Sequence, residues 1–108
     1  MKILTKEVIK KLESTKPYDG DSSMDAKVIM KLFGGYNHTW LITSAEKVDG
    51  DYICYGYANL GYGYEYGPFS LNEIMKVKFP PFNETVERDL YLSKNAKVSD
   101  FVDRSNLM

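Results

Sequence analysis

Between Asp51 and Gly67 the chain concentrates six of its nine tyrosines and four glycines, in the order Asp-Tyr-Ile-Cys-Tyr-Gly-Tyr-Ala-Asn-Leu-Gly-Tyr-Gly-Tyr-Glu-Tyr-Gly. Tyrosine joins a large apolar ring to a polar tip, so such a run suits a sheet surface that is half packed and half open to contact. No catalytic signature accompanies it. The pattern points to binding through a sheet and by itself names no activity.

The flanking segments supply the rest of a small domain. Leu4 to Glu13 reads as an amphipathic helix, with Thr5 as N-cap, Leu4 stapled against Ile9, and Val8, Ile9 and Leu12 on one side. Residues 14–25 contain Pro17, Gly20, three Asp and three Ser, which predicts an exposed loop. Ala26 to Phe33 sets Ala26, Val28, Met30 and Leu32 against Lys27, Ile29, Lys31 and Phe33, a strand spacing. Gly34 to His38 is turn chemistry. Thr39 to Ser44 resumes as a strand, and Asp49-Gly50 turns the chain into a third, Tyr52 to Ala58. Sequential strands with short turns make an antiparallel meander.

Tyr62 to Phe69 adds a short strand weakened by its glycines. Ser70 to Glu73 is a capping box with Phe69 and Ile74 as staple, predicting a helix from Leu71 to Lys76 that Phe79-Pro80-Pro81 ends. Thr85 to Leu92 alternates again as a strand. The tail takes a turn of helix after Ser99 and frays over 104–108. The expected architecture is a single α+β domain over residues 1–108: an antiparallel sheet of four to five strands, with the N-terminal helix and a second short helix packed on it.

Composition narrows the function classes. At 108 residues the chain holds one modest core, and 44% hydrophobic with 27% charged residues is ordinary globular usage. No apolar run approaches the roughly 20 residues that span a bilayer, and the opening Met1 to Glu7 lacks the apolar stretch of a secretory signal. A cytoplasmic protein without membrane contact is expected. Net charge is −1, and Arg88 and Arg104 are the only arginines, the twelve lysines being scattered. Direct nucleic-acid contact is therefore disfavoured, since phosphate forks and base reading favour clustered arginine. Cys54, the single cysteine, reads as a small buried hydrophobe.

The residues Thr39-Trp40, Gly50-Asp51, Tyr55-Gly56-Tyr57, Gly67-Pro68-Phe69-Ser70-Leu71-Asn72-Glu73-Ile74 and Val86-Glu87-Arg88-Asp89-Leu90 stand in an order that resembles domain-of-unknown-function family 2958, as does the opening Leu4 to Glu7. The family consists of short bacterial proteins carried on plasmids, phages and other mobile elements. The resemblance implies a small α+β protein with no assigned activity. Its mobile-element setting implies, by analogy, a protein that binds and inhibits host defence machinery, an anti-CRISPR protein being one such case.

The candidate contact residues are Trp40, Tyr55, Tyr57, Tyr62, Tyr64 and Tyr66. Tyr62, Tyr64 and Tyr66 share a parity and cannot all enter so small a core, so some rings are expected in solvent, facing a host protein. Arg88 shares a parity with Val86, Leu90 and Leu92. A guanidinium on the core face needs a partner, either a carboxylate such as Glu65, Glu73 or Asp89 or the anion of a ligand, unless a bulge turns it outward. Glu87 and Asp89, two apart, read as a solvated strand face, and His38 as a turn residue. No spacing calls for a catalytic residue, a metal or a cofactor. A second reading remains open: a small-molecule or nucleotide-binding domain, with or without hydrolytic activity, using Arg88, Glu87, Asp89 and the tyrosines. A third is a weak homodimer pairing through an edge strand.

Overall fold

A computed structural model of the chain describes residues 1–15 and 22–107. Four strands follow one another antiparallel: β1 (Met30–Gly34), β2 (His38–Val48), β3 (Asp51–Leu60) and β4 (Tyr64–Ser70). The short β5 (Glu87–Arg88) returns beside β1, giving a sheet ordered β4-β3-β2-β1-β5. Asp49 and Gly50 make the two-residue reversal from β2 to β3 with φ of 49° and 80°, the mirror-image turn whose twist matches that of the strands. Asn59 builds the next reversal. Its side-chain oxygen accepts from the Gly61 N–H at 2.8 Å and the Gly63 N–H at 3.3 Å, and both glycines take positive φ, 108° and 112°. Tyr62 is thereby held at the turn tip.

A bulge between Ile42 and Ser44 changes what β2 shows to each side. Before it, Trp40 and Ile42 face the first core; past it, Ala45 takes that face opposite Cys54. One extra residue has flipped the parity. The Thr43 hydroxyl donates to the Tyr55 carbonyl at 3.0 Å, while the buried Ser44 hydroxyl has no hydrogen-bond partner among the described residues.

The two faces are covered differently. On the first lie α1 (Lys6–Glu13) and α2 (Leu71–Lys76), whose Val8, Leu12, Leu71 and Ile74 pack with Met30, Leu32, Trp40 and Ile42. Thr5 caps α1 by accepting the Val8 N–H at 3.2 Å, and Ser70 caps α2 by accepting the Glu73 N–H at 3.1 Å. On the second face Leu41, Tyr57 and Tyr64 are covered by Val28, Ala96, Val98 and Val102, which come from outside the strands and α-helices, Val98 opening a 3-10 turn. Asp51 joins β3 to α2. Its carboxylate accepts the Tyr52 N–H at 2.7 Å, the Asn72 N–H at 3.0 Å and the Ser70 hydroxyl, so the start of β3 and the cap of α2 share one anion.

Several expected elements come out altered. The strand predicted over Ala26 to Phe33 begins only at Met30, because upstream the chain pairs with the C-terminal segment: the Val28 N–H donates to the Ala96 carbonyl at 2.9 Å and the Val98 N–H to the Ala26 carbonyl at 2.9 Å. Val28 accordingly enters the second core and Met30 the first, although they share a parity. The strand predicted over Thr85 to Leu92 shrinks to Glu87–Arg88, since the Asp89 side chain accepts the Tyr91 N–H at 2.8 Å and turns the chain away, leaving Leu90 and Tyr91 in solvent. Of the loop expected over 14–25, residues 16–21 lie outside the described residues. Its last part is tied down, with the Ser22 carbonyl accepting the Tyr57 hydroxyl and the Met24 carbonyl accepting the Ser99 N–H at 2.8 Å. The tail expected to fray forms a 3-10 turn at Arg104–Asn106 capped by Asp103, and Leu107 bridges to Tyr64.

Cys54 lies fully buried in the first core. Burial, with the charge of Asp51 adding to it, pushes its thiol up to about 12. A thiolate is the reactive form, so labelling of the native chain by a disulfide reagent should require opening of the core, at least about a thousandfold slower than in denaturant. Labelling at the rate of a free thiol would contradict this burial.

Candidate functional site

The β-ladders set two cross-strand rows side by side on the first face: Trp40, Ala58 and Glu65, then Ile42, Gly56 and Gly67. Two glycines and an alanine occupy the β3 and β4 positions where side chains would otherwise stand. The result is an open hollow of about 480 Å³, walled by Trp40, Leu60, Tyr62 and Phe69 and floored by Ala58 and Gly67. Glu65 is the one ionisable carboxylate at its border, and no cation lines it.

The two glycines have different causes. A Cβ on Gly56 would stand 1.8 Å from the Leu41 carbonyl oxygen, so the close approach of β2 and β3 at the bulge demands glycine there. A Cβ on Gly67 would meet nothing within 4 Å, and its φ is not in the left-handed region. Neither sterics nor backbone explains a residue that costs about 0.5–1 kcal/mol against alanine in a strand. Its effect is to keep the hollow empty.

The tyrosine run does not form one surface. Strand alternation sends Tyr55, Tyr57, Tyr64 and Tyr66 to the second face, whereas Tyr62 sits at the turn beside the first. Tyr57 and Tyr64, expected on a contact surface, are core residues at 5% and 9% exposure. Burial pushes the Tyr64 phenol up, against a hydrogen bond with Thr39 that lowers it. Tyr66 is half-buried, meets Tyr57 edge-on at 5.3 Å and also contributes to the lining of the hollow, and Tyr55 is half-buried. Tyr62 is 84% exposed, while Trp40 is 5% exposed, lines the hollow and stacks on His38 at 6.2 Å. His38, read as a turn residue, starts β2 and also packs on Phe79 at 5.1 Å. Leu60, Gly67 and Phe69 complete the site and were not singled out for it from sequence; the only available sign was the alternation Glu65, Gly67, Phe69 on one parity.

Arg88 does lie on the core-facing parity, opposite Leu32, and is half-buried. The ion pair expected for it does not form: among the described residues its Nε has no hydrogen-bond partner. Glu65 stands on β4 and Glu73 on α2, across the sheet from β5, and Asp89 instead pairs with Lys31 at 3.8 Å. The hollow next to β5, about 530 Å³, is lined by Met1, Glu84 and Glu87 among others, with no side-chain cation. The groove and Arg88 are at opposite edges of the sheet, which separates the groups that a pocket using both would have to bring together. Among the described residues no three His, Cys, Asp or Glu side chains gather as metal ligands, and no helix is long and apolar enough to cross a membrane.

A family model described as protein of unknown function, DUF2958, matches residues 3–107. The chain belongs to the DUF2958 family. No curated protein and no solved structure matches it. The DUF2958 match takes in every residue of the groove and of the β5 edge, so both are parts of the family's domain and not of an appended segment.

Proposed function

We propose that this chain is a non-enzymatic binding protein that acts by protein–protein contact through the groove on β3 and β4. One observation carries the reading: Trp40, Leu60, Tyr62 and Phe69 wall a hollow whose floor has no side chain to fill it. Aromatic walls around an apolar socket are the arrangement in which an interface anchor is sealed from water. A nucleotide fits this hollow poorly, because its phosphates would meet Glu65 and no cation. The mobile-element setting that the family resemblance implies makes a cytoplasmic host protein the partner, and a defence nuclease, inhibited as by an anti-CRISPR protein, is the first case to test.

The test is affinity capture from the natural host with the unaltered chain and with Tyr62→Ala combined with Leu60→Ala. Both side chains are largely exposed, so the melting temperature should stay put while retention of the captured protein falls at least about tenfold. An unchanged captured set would remove the groove from the function.

A further inference from the structure

From the vacancy above Gly67 we infer the chemistry of the partner segment: one bulky apolar side chain, Trp, Phe or Leu, inserted over Gly67, next to a Lys or Arg that meets Glu65. This rests on the groove reading and goes past it by assigning the anchor and its neighbour. Gly67 is on β4, with Glu65 and Phe69 on the same face and Ala58 and Gly56 behind them on β3. A side chain at position 67 would occupy the middle of the hollow, yet the space there is open and the backbone would accept one. The missing side chain is therefore supplied from outside, and large aromatic or aliphatic groups fill gaps above strand glycines.

Charge selects the neighbour. Glu65 is exposed at the lip and no lysine or arginine lines the groove to neutralise it. A basic residue beside the anchor answers that carboxylate, whereas an acidic one is repelled, which sets specificity and register more than affinity. Ala58 and Gly67 on the floor and Trp40, Leu60 and Phe69 on the walls make the contact around the anchor mostly apolar, so a polar side chain there would give up hydration for few polar partners.

A displayed library of random peptides, selected on the immobilised full chain, tests this. Enriched peptides should carry Trp, Phe or Leu close to Lys or Arg. Gly67→Val, which fills open space and should leave the melting temperature level or higher, should weaken a selected synthetic peptide at least about tenfold, and Gly67→Ala should weaken it less. Glu65→Lys should turn the selection to Asp or Glu beside the same apolar anchor. Peptides lacking an apolar anchor, or binding that Gly67→Val leaves intact, overturn the inference. If Tyr62→Ala with Leu60→Ala abolishes that intact binding, the groove stands and only the anchor assignment fails. If neither variant matters, the groove reading falls with it.

Discussion

Gly56→Ala is expected to be the most damaging single-methyl change in this chain, costing at least about 3 kcal/mol and lowering the thermal midpoint by more than about 10 °C. The added Cβ would lie 1.8 Å from the Leu41 carbonyl oxygen and 3.1 Å from the Ile42 Cα, both backbone of the central strand β2. Rotating a side chain cannot relieve it. Relief requires β2 and β3 to separate next to the bulge, where Leu41 and Ile42 are fully buried and anchor the two cores. Denaturant unfolding of the variant beside Gly67→Ala makes the measurement pointed, since the two glycines are direct cross-strand partners. A methyl at Gly67 meets open space and should be neutral or stabilising. A loss below about 1 kcal/mol for Gly56→Ala would mean that the strands are not held this closely.

Asp51→Ala should come second, at about 2–3 kcal/mol, because one carboxylate serves three donors from two elements. Without it the Asn72 N–H at the start of α2 and the Ser70 hydroxyl both lose their acceptor, and the first turn of α2 loses its tie to β3. Asp51→Asn should cost less, as the amide oxygen still accepts one or two of these bonds. The effect depends on pH. Partial burial pushes the Asp51 carboxyl up, but the hydrogen bonds from Ser70, Asn72 and Tyr52 and the charge of Lys76 outweigh it and hold the group below its ordinary value. Since folding lowers this pKa, the anion's contribution is complete above the unfolded value of about 3.9 and is lost as the pH drops through the lower folded value. The stability gap between the unaltered chain and Asp51→Asn should be constant near neutrality and close as the pH falls below about 4. A gap that persists unchanged into strong acid would show that charge has no part in it.

Short-range chemistry was legible wherever it closes on itself within a few residues. Asp49-Gly50 announces a two-residue reversal, Thr5 and Ser70 announce their helices, and the helix from Leu71 to Lys76 has the bounds its cap and the following prolines demand. The meander of β1 to β4 follows from these turns. Misreadings cluster where a strand exchanges partners or changes face. Val28 bonds to Ala96 some seventy residues away, and Asp89 ends a strand by accepting from its own neighbour Tyr91, neither of which alternation can reveal.

The candidate site was half legible for the same reason. The aromatic-glycine run overlaps the groove, but the rings expected there divide: Trp40, Tyr62 and Tyr66 line the hollow with Leu60 and Phe69, while Tyr57 and Tyr64 went to the second core. Of the carboxylates expected to meet Arg88, Glu65 sits on the opposite edge of the sheet from β5, and neighbouring Asp89 pairs with Lys31 instead.

By itself the sequence determined the two α-helices, the turn at Asp49-Gly50 and the antiparallel order of β1 to β4, since hydrogen-bonded turns, caps and side-chain alternation act over a few residues. Tertiary structure alone decided which face meets which cover, where β5 docks, why Gly56 cannot carry a methyl and Gly67 can, and hence that a hollow exists. Those outcomes depend on the bulge in β2 and on contacts between segments far apart in the chain, and a one-residue change of register exchanges every inward side chain for an outward one.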